Sequence, residues 1–374
     1  MTTTPLIFPD FRHNLVNLSA TLQAYLGIKP QHPTLPVVEQ ALKHQPQQVV
    51  YLVIDAMGAQ ILAKNLPATS FLRSHQRQTI TSVFPSTTAA ATTTIVSAQT
   101  PGEHGWFAWS VDFDGAVIEL FRNRNYYTKQ FTTDPQFVQH HLPYPLFFDS
   151  ARANRPVYAL MPDRVSYRMP VPNYQSYRRL PGLYRQLHNL LKQPEPKFVY
   201  AYYSQLDSVM HRTGTASWRA RHLLRKIDRF CAKLAKRHPE TTFIITADHG
   251  QIDVAGHVPI YNDPQIMDCL AHPISMDPRG ACFHVKPGCH AQFERAFQAY
   301  AADFTLFKSA DLIQRGVFGP VKPDYVPLLG DYIAIGTDTN TNLMFTAEKK
   351  YRGHHTGLTK DEVYVPVIIA GAGE

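Results

Sequence analysis

Four short stretches of the 374-residue sequence supply carboxylates and imidazoles in ways that suit metal chemistry. Asp55 closes the apolar run Val49 to Ile54, and Asp207 and His211 stand four residues apart. If the segment between that pair is helical, both side chains share one face and can reach a single ion. Thr246-Ala247-Asp248-His249-Gly250 follows another apolar run, and Gly353-His354-His355-Thr356-Gly357 offers imidazoles in a glycine-flanked loop able to approach a ligand closely. Singly, each has an ordinary explanation, since an Asp before a turn is commonly a capping residue. Together, Asp55, Asp207, His211, Asp248, His249 and one His of the 354–355 pair make two half-shells of three. That mixture of carboxylate and neutral imidazole suits two divalent ions sharing a phosphoryl substrate.

Such a centre also wants a nucleophile. Ser86-Thr87-Thr88-Ala89-Ala90-Ala91-Thr92-Thr93-Thr94 follows an expected strand at Thr79 to Phe84, with Pro85 as punctuation and an Ala-rich helical stretch behind it. A hydroxyl at that helix N-terminus meets the positive end of the dipole, beside amides able to cradle a phosphate. The plainer reading is an N-cap Ser or Thr.

Residues this far apart meet only if a sheet delivers them to one edge. Val49–Ile54, Lys197–Tyr203 and Thr242–Thr246 read as buried parallel strands, each with a carboxylate at or just past its carboxyl end, where open α/β sheets place ligands. Helical patterns cover Asn14–Leu26, Ala59–Lys64, Tyr174–Leu191 and Ala216–Arg237. The alternation predicts an α/β fold, a doubly wound, mostly parallel sheet with helices on both faces. Pro259 to Phe345 is richer in turns, with short strands at Ala281–Val285 and Tyr332–Ile335 and a helix near Ala291–Ala302, and Val365–Ala370 returns to a buried strand. The expected organisation is a catalytic core of residues 1–258 and 346–374 interrupted by an inserted α+β subdomain or lid at 259–345.

Lys and Arg exceed Asp and Glu by 37 to 29, a net charge of +8 that suits an anionic ligand. The excess is dispersed, with short clusters at 219–229 and 349–352 and no nucleic-acid motif, so a solvated basic surface is expected rather than a nucleic-acid stripe. No membrane partner is expected, because no run of about 18 apolar residues occurs, and no basic-then-apolar leader opens the chain, which predicts a soluble cytoplasmic protein. Cys231, Cys269, Cys282 and Cys289 lack metal-binding spacing and read as small hydrophobes. Nothing in the sequence speaks to oligomeric state.

The ordered set of motifs resembles the alkaline phosphatase superfamily, and within it the type I phosphodiesterase/nucleotide pyrophosphatase family. The resemblance runs from Asp55 to the C-terminus through the Thr-rich turn, Pro101-Gly102-Glu103-His104-Gly105, the Asp207/His211 pair, Thr246-Ala247-Asp248-His249-Gly250 and the final His-containing loop. Counting back from Ser97-Ala98, Pro101 and His104-Gly105, it selects Thr88 as nucleophile, with Thr87 as fallback. It implies that Asp207, His211 and His355 hold one zinc-like ion while Asp55, Asp248, His249 and the Thr88 oxygen hold the other, with manganese or magnesium as alternatives. His355 is preferred to His354 because the family loop reads Gly-x-His-x-Gly. The implied activity is hydrolysis of a small phosphate ester, such as a nucleotide, through a phospho-threonine intermediate. A phosphomonoesterase, a phosphonate hydrolase, a phosphomutase and a metal-binding protein with decayed catalysis are the alternatives. The sequence departs from the family where an Asn is expected to contact the phosphoryl oxygen: that position is Trp109. Asn123, Asn125, Arg122 or Arg124 could substitute, or Trp106 and Trp109 could line a pocket for a flat leaving group.

Overall fold

The computed structural model describes residues 5–148, 155–163, 173–347 and 350–373; the basic cluster at 349–352 thus begins outside the described residues. Among these, seven strands form the central sheet in the order Gln76–Thr81, Tyr364–Gly371, Thr242–Thr246, Gln48–Ile54, Lys197–Tyr203, Val157–Pro162, Asn173–Tyr177. Gln48–Ile54 is parallel to both neighbours, and Val157–Pro162 is parallel to both of its own. Tyr364–Gly371 runs antiparallel to the strands on either side. Every residue of Gln48–Ile54, Lys197–Tyr203 and Thr242–Thr246 is buried, the physical reason why these strands read as continuous apolar runs.

Register makes the sheet edge a site. Ile54 pairs with Tyr203 and Val53 with Thr246, so the three strands end nearly level. The chain leaving each end therefore delivers Asp55, Asp207 and Asp248 to one place.

The helix Trp218–Arg237 buries Ala220, Leu224, Ile227, Phe230, Cys231 and Leu234 at helical spacing, and Ser217 caps it by accepting from the Ala220 amide. The expected helix at Tyr174–Leu191 is corrected in its first third. Asn173–Tyr177 is a strand at the sheet edge, and the helix spans Leu180–Leu191, with Pro181 in its first turn and Leu183, Leu187 and Leu191 buried. The strand expected at Thr79–Phe84 lies slightly earlier, at Gln76–Thr81.

Between Thr246 and Tyr364 the chain leaves the central sheet and builds an antiparallel four-stranded one, ordered Ser275–Asp277, Gly280–Phe283, Tyr332–Gly336, Phe304–Lys308. Phe283, Phe293, Phe297, Phe304 and Tyr332 form part of its own apolar cluster. Met276, Cys282 and Ile335 also pack with Phe84, Trp106 and Phe107, which ties this sheet to the chain that follows the Thr-rich turn. That chain includes a hairpin of Ser110–Phe113 and Ala116–Glu119. The four cysteines are unpaired, three of them buried, and no helix of the described residues is long and apolar enough to cross a membrane.

Candidate metal centre

Backbone geometry turns each ligand out of its strand. The Asp55 amide still donates to the Tyr203 carbonyl at 3.0 Å, but Ala56 takes a φ of 60° and ends the extension. Thr356 (φ 108°), after His355, and Met276 (φ 68°), inside the Ser275–Asp277 strand next to Asp277, also have positive φ. A β-branched residue rarely adopts that region, and strain of this kind is held only where the surroundings over-determine it. Gly250, after His249, has no room for a side chain, since a Cβ would stand 2.0 Å from the Asp361 carbonyl oxygen.

The first ligand group is Asp55, Asp248 and His249, all buried. His249 Nε2 lies 3.6 Å from Asp55 Oδ1 and 3.5 Å from Asp248 Oδ2. One oxygen of each carboxylate is accounted for: Asp248 Oδ1 accepts from the Ala56 and His249 amides at 3.0 and 2.9 Å, and Asp55 Oδ2 accepts from the Tyr202 hydroxyl. The other oxygens, Asp55 Oδ1 and Asp248 Oδ2, are buried with no hydrogen-bond partner. The second group is Asp207, His211 and His355, with Asp207 Oδ1 3.1 Å from His211 Nε2 and 3.8 Å from His355 Nε2. The rings of His249 and His355 stack at 3.9 Å, so the two groups adjoin.

Each of the three imidazoles is oriented by a main-chain carbonyl. His211 Nδ1 donates to Gly353 O at 2.7 Å, His249 Nδ1 to Gly250 O at 2.8 Å and His355 Nδ1 to Ser86 O at 3.1 Å. A carbonyl only accepts, so Nδ1 carries the hydrogen and Nε2 is the nitrogen turned toward the site to bind a metal. Burial, then Asp248 and Asp207, pushes the Asp55 carboxyl well above the usual range. Burial, then His249, His211 and His354, holds His355 well below the usual histidine value. Two buried carboxylates with orphaned oxygens resist ionising side by side, and a divalent cation fits both the charge they would carry and the donor set.

Thr88 and Thr87 separate cleanly. Thr88 opens the helix Thr88–Ser97 and its Oγ1 lies 3.2 Å from His249 Nε2. Thr87 precedes that helix, and its side chain bonds to Asp277. His354 belongs to neither ligand group: its Nδ1 lies 2.9 Å from the His355 carbonyl, and its ring sits 5.3 Å from that of His211.

The aromatic pocket read into Trp106 is corrected. Trp106 is fully buried, packs on Phe121 and Tyr144, and donates Nε1–H to Leu142 O at 2.9 Å. Trp109 is partly exposed, lies under the Arg122 guanidinium, and donates its amide to Asp277 Oδ2 at 3.1 Å. The four proposed stand-ins are committed locally: Asn123 and Asn125 accept from main-chain amides, while Arg122 and Arg124 pair with the buried Glu119. The polar side chain beside Thr87 and Trp109 is Asp277, which sequence reasoning missed. Gln251, 3.0 Å from Asp207 Oδ1, and Tyr202 were missed as well.

The profile of type I phosphodiesterases/nucleotide pyrophosphatases matches residues 49–311, most of the chain. The chain belongs to that family. It is accordingly a phosphoric ester hydrolase. Among solved structures, human ectonucleotide pyrophosphatase/phosphodiesterase 5 is similar at 16% identity over 87% of this chain and 88% of its own, with a TM-score of 0.64. The murine counterpart, an inactive variant in complex with AMP, is similar at 15% identity over 87% and 88%, with a TM-score of 0.63. Phosphonoacetate hydrolase from Sinorhizobium meliloti 1021, in complex with phosphonoformate, is similar at 17% identity over 87% and 90%, with a TM-score of 0.61. At these identities the likeness is one of fold. Among curated proteins, none matches the sequence significantly.

Proposed function

We propose that this protein is a two-metal phosphodiesterase/nucleotide pyrophosphatase working through a phospho-threonine at Thr88. The observation that carries the reading is the Thr88 hydroxyl, 3.2 Å from His249 Nε2 at the start of a ten-residue helix, beside the orphaned oxygens of Asp55 and Asp248. Asp55, Asp248, His249 and the Thr88 oxygen would hold one ion, and Asp207, His211 and His355 the other, zinc by ligand type, with manganese or magnesium as alternatives. When bound, the ions supply positive charge that favours an ionised nucleophile and offsets charge developing on the phosphoryl group.

The chain's own contribution is placement. Thr88 Oγ attacks phosphorus in line, the bond to the leaving oxygen breaks, and water later cleaves the phospho-threonine. Main-chain carbonyls fix the three imidazoles, so the ligand cage is preorganised. Asp277 bridges the Trp109 amide and Thr87, holding the turn that carries the nucleophile. In this reading residues 1–258 and 346–374 form the catalytic unit, and 259–345 an inserted subdomain that contributes Asp277. Unpaired cysteines suit a cytoplasmic setting.

AMP in the murine neighbour points to a nucleotide substrate, and the Thr-to-Ala change that marks its inactive form supports a threonine nucleophile. The Sinorhizobium neighbour, seen with phosphonates, is the basis for a second reading as a phosphonate hydrolase. The test compares bis-p-nitrophenyl phosphate, p-nitrophenyl phosphate and phosphonoacetate, with wild type, Thr88→Ala and Thr87→Ala. The diester is expected to turn over fastest, and Thr88→Ala to lose roughly 10³-fold or more in kcat, the scale of losing a nucleophile. Near-normal turnover by Thr88→Ala would sink the assignment.

A further inference from the structure

Away from the strand-end cluster, a separate trio of ligating side chains joins two structural units. Asp112 lies on the Ser110–Phe113 strand of the hairpin, His272 precedes the Ser275–Asp277 strand, and His284 follows Gly280–Phe283. Asp112 is 2% exposed, and one of its oxygens, Oδ1, accepts from the Gly115 amide at 2.9 Å. The other, Oδ2, lies 2.6 Å from His272 Nδ1 and 3.4 Å from His284 Nδ1. The two rings sit 4.9 Å apart and only 32° from parallel.

His284 carries the argument. Its Nε2 lies 2.9 Å from the Pro327 carbonyl oxygen, which only accepts, so Nε2 bears the hydrogen and Nδ1 is the nitrogen left to bind a proton or a cation. That Nδ1 is buried and has no hydrogen-bond partner. This unpartnered nitrogen faces the buried Asp112 oxygen 3.4 Å away, too far for a good hydrogen bond and a spacing that a bound cation would bridge. Ligand bonds of about 2.0–2.1 Å in a tetrahedron set neighbouring ligand atoms roughly 3.3–3.4 Å apart. The His284–Asp112 separation of 3.4 Å has that spacing. His272 Nδ1, at 2.6 Å, is drawn closer than this and would move outward on metal binding.

We propose that Asp112, His272 and His284 form a further divalent-cation site of the zinc class, which clamps the 110–119 hairpin to the second sheet. The site shares no residue with the proposed catalytic cage and does not rest on that assignment. Two nitrogens and one oxygen suit zinc better than calcium or magnesium, with a water completing the shell. The clamp has a local consequence: the same two segments are joined by Ser110 Oγ–H to Met276 O at 2.9 Å and by the Trp109 amide to Asp277 at 3.1 Å. Fixing the hairpin on the sheet therefore fixes Asp277 beside the Thr-rich turn.

The test uses the full chain with zinc alone as probe. Crystals are measured across the zinc absorption edge, and zinc per chain is counted after dialysis for wild type, His284→Ala and Asp112→Asn. An anomalous peak bounded by Asp112, His272 and His284, and one zinc fewer per chain in either variant, is the expected result. The site is overturned if the wild-type map is blank there while the crystal holds zinc elsewhere, or if the peak touches only His272, as an adventitious surface ion would. It is equally overturned if both folded variants keep the full count. Should either variant fail to fold, the wild-type map decides alone.

Discussion

Burial pushes the Asp277 carboxyl up to about 6, against the opposing pull of the Trp109 amide and the Thr87 side chain. A native pKa above the unfolded one means that the folded protein binds the proton more tightly. The stability this group contributes is therefore full below about pH 3.8 and is lost as pH rises through about 6. In metal-free protein, Asp277→Asn should flatten the fall in stability across that window by at most about 3 kcal/mol, read from denaturant midpoints. An unchanged pH profile would show that Asp277 does not titrate as described. Nothing in the sequence marks this residue, because it sits on a three-residue strand in a turn-rich stretch with no diagnostic spacing. Asp55, Asp207, His211, Asp248 and His249 were legible because each follows an apolar run or keeps a ligand spacing. Thr88 and His355 are reached only by counting against a family pattern; in the fold Thr88 lies 3.2 Å from His249 and His355 falls within a candidate ligand group.

Among elements, the loop carrying His355 depends on a buried ion pair. Arg279 Nε donates to Glu362 Oε1 at 2.7 Å, both side chains are fully buried, and Arg279 also donates to the Thr337 and Thr341 carbonyls. Glu362 in turn accepts from the Gly357 amide at 2.8 Å and from the Thr359 hydroxyl at 2.7 Å, closing a capping box behind the loop. Arg279→Met leaves the carboxylate buried and alone, and should cost roughly 3–5 kcal/mol, measured by denaturant unfolding. Loss of zinc affinity should accompany it if the loop holds His355 in place. A variant as stable as wild type would remove the pair from this role. Central strands were readable in sequence because burial on both faces makes them continuously apolar. The edge strand Asn173–Tyr177, with its mixed burial, merges in sequence with the helix after it, whereas the Thr359-x-x-Glu362 spacing is a legible capping-box signature.

For the molecule as a whole, metal and folding should be linked. Burial and the neighbouring Asp248 and Asp207 hold the Asp55 carboxyl well above its ordinary value in metal-free protein. Its contribution to stability is therefore lost as pH rises, whereas a bound cation removes the repulsion between the ionised carboxylates. Chelation should lower Tm, and by more at about pH 8 than at about pH 5.5, with each site worth about 2.7 kcal/mol at a hundredfold excess of free ion over Kd. An equal drop at both values would contradict the linkage.

Whether one sheet edge assembles two cation sites around Thr88 is decided by an anomalous-scattering map of zinc-loaded crystals with phosphate. The expected map has one peak bounded by Asp55, Asp248, His249 and Thr88 Oγ1, and a second bounded by Asp207, His211 and His355, with phosphate between them. A map with no peak at either group, or with a single ion ligated by His354 in place of His355, would contradict it.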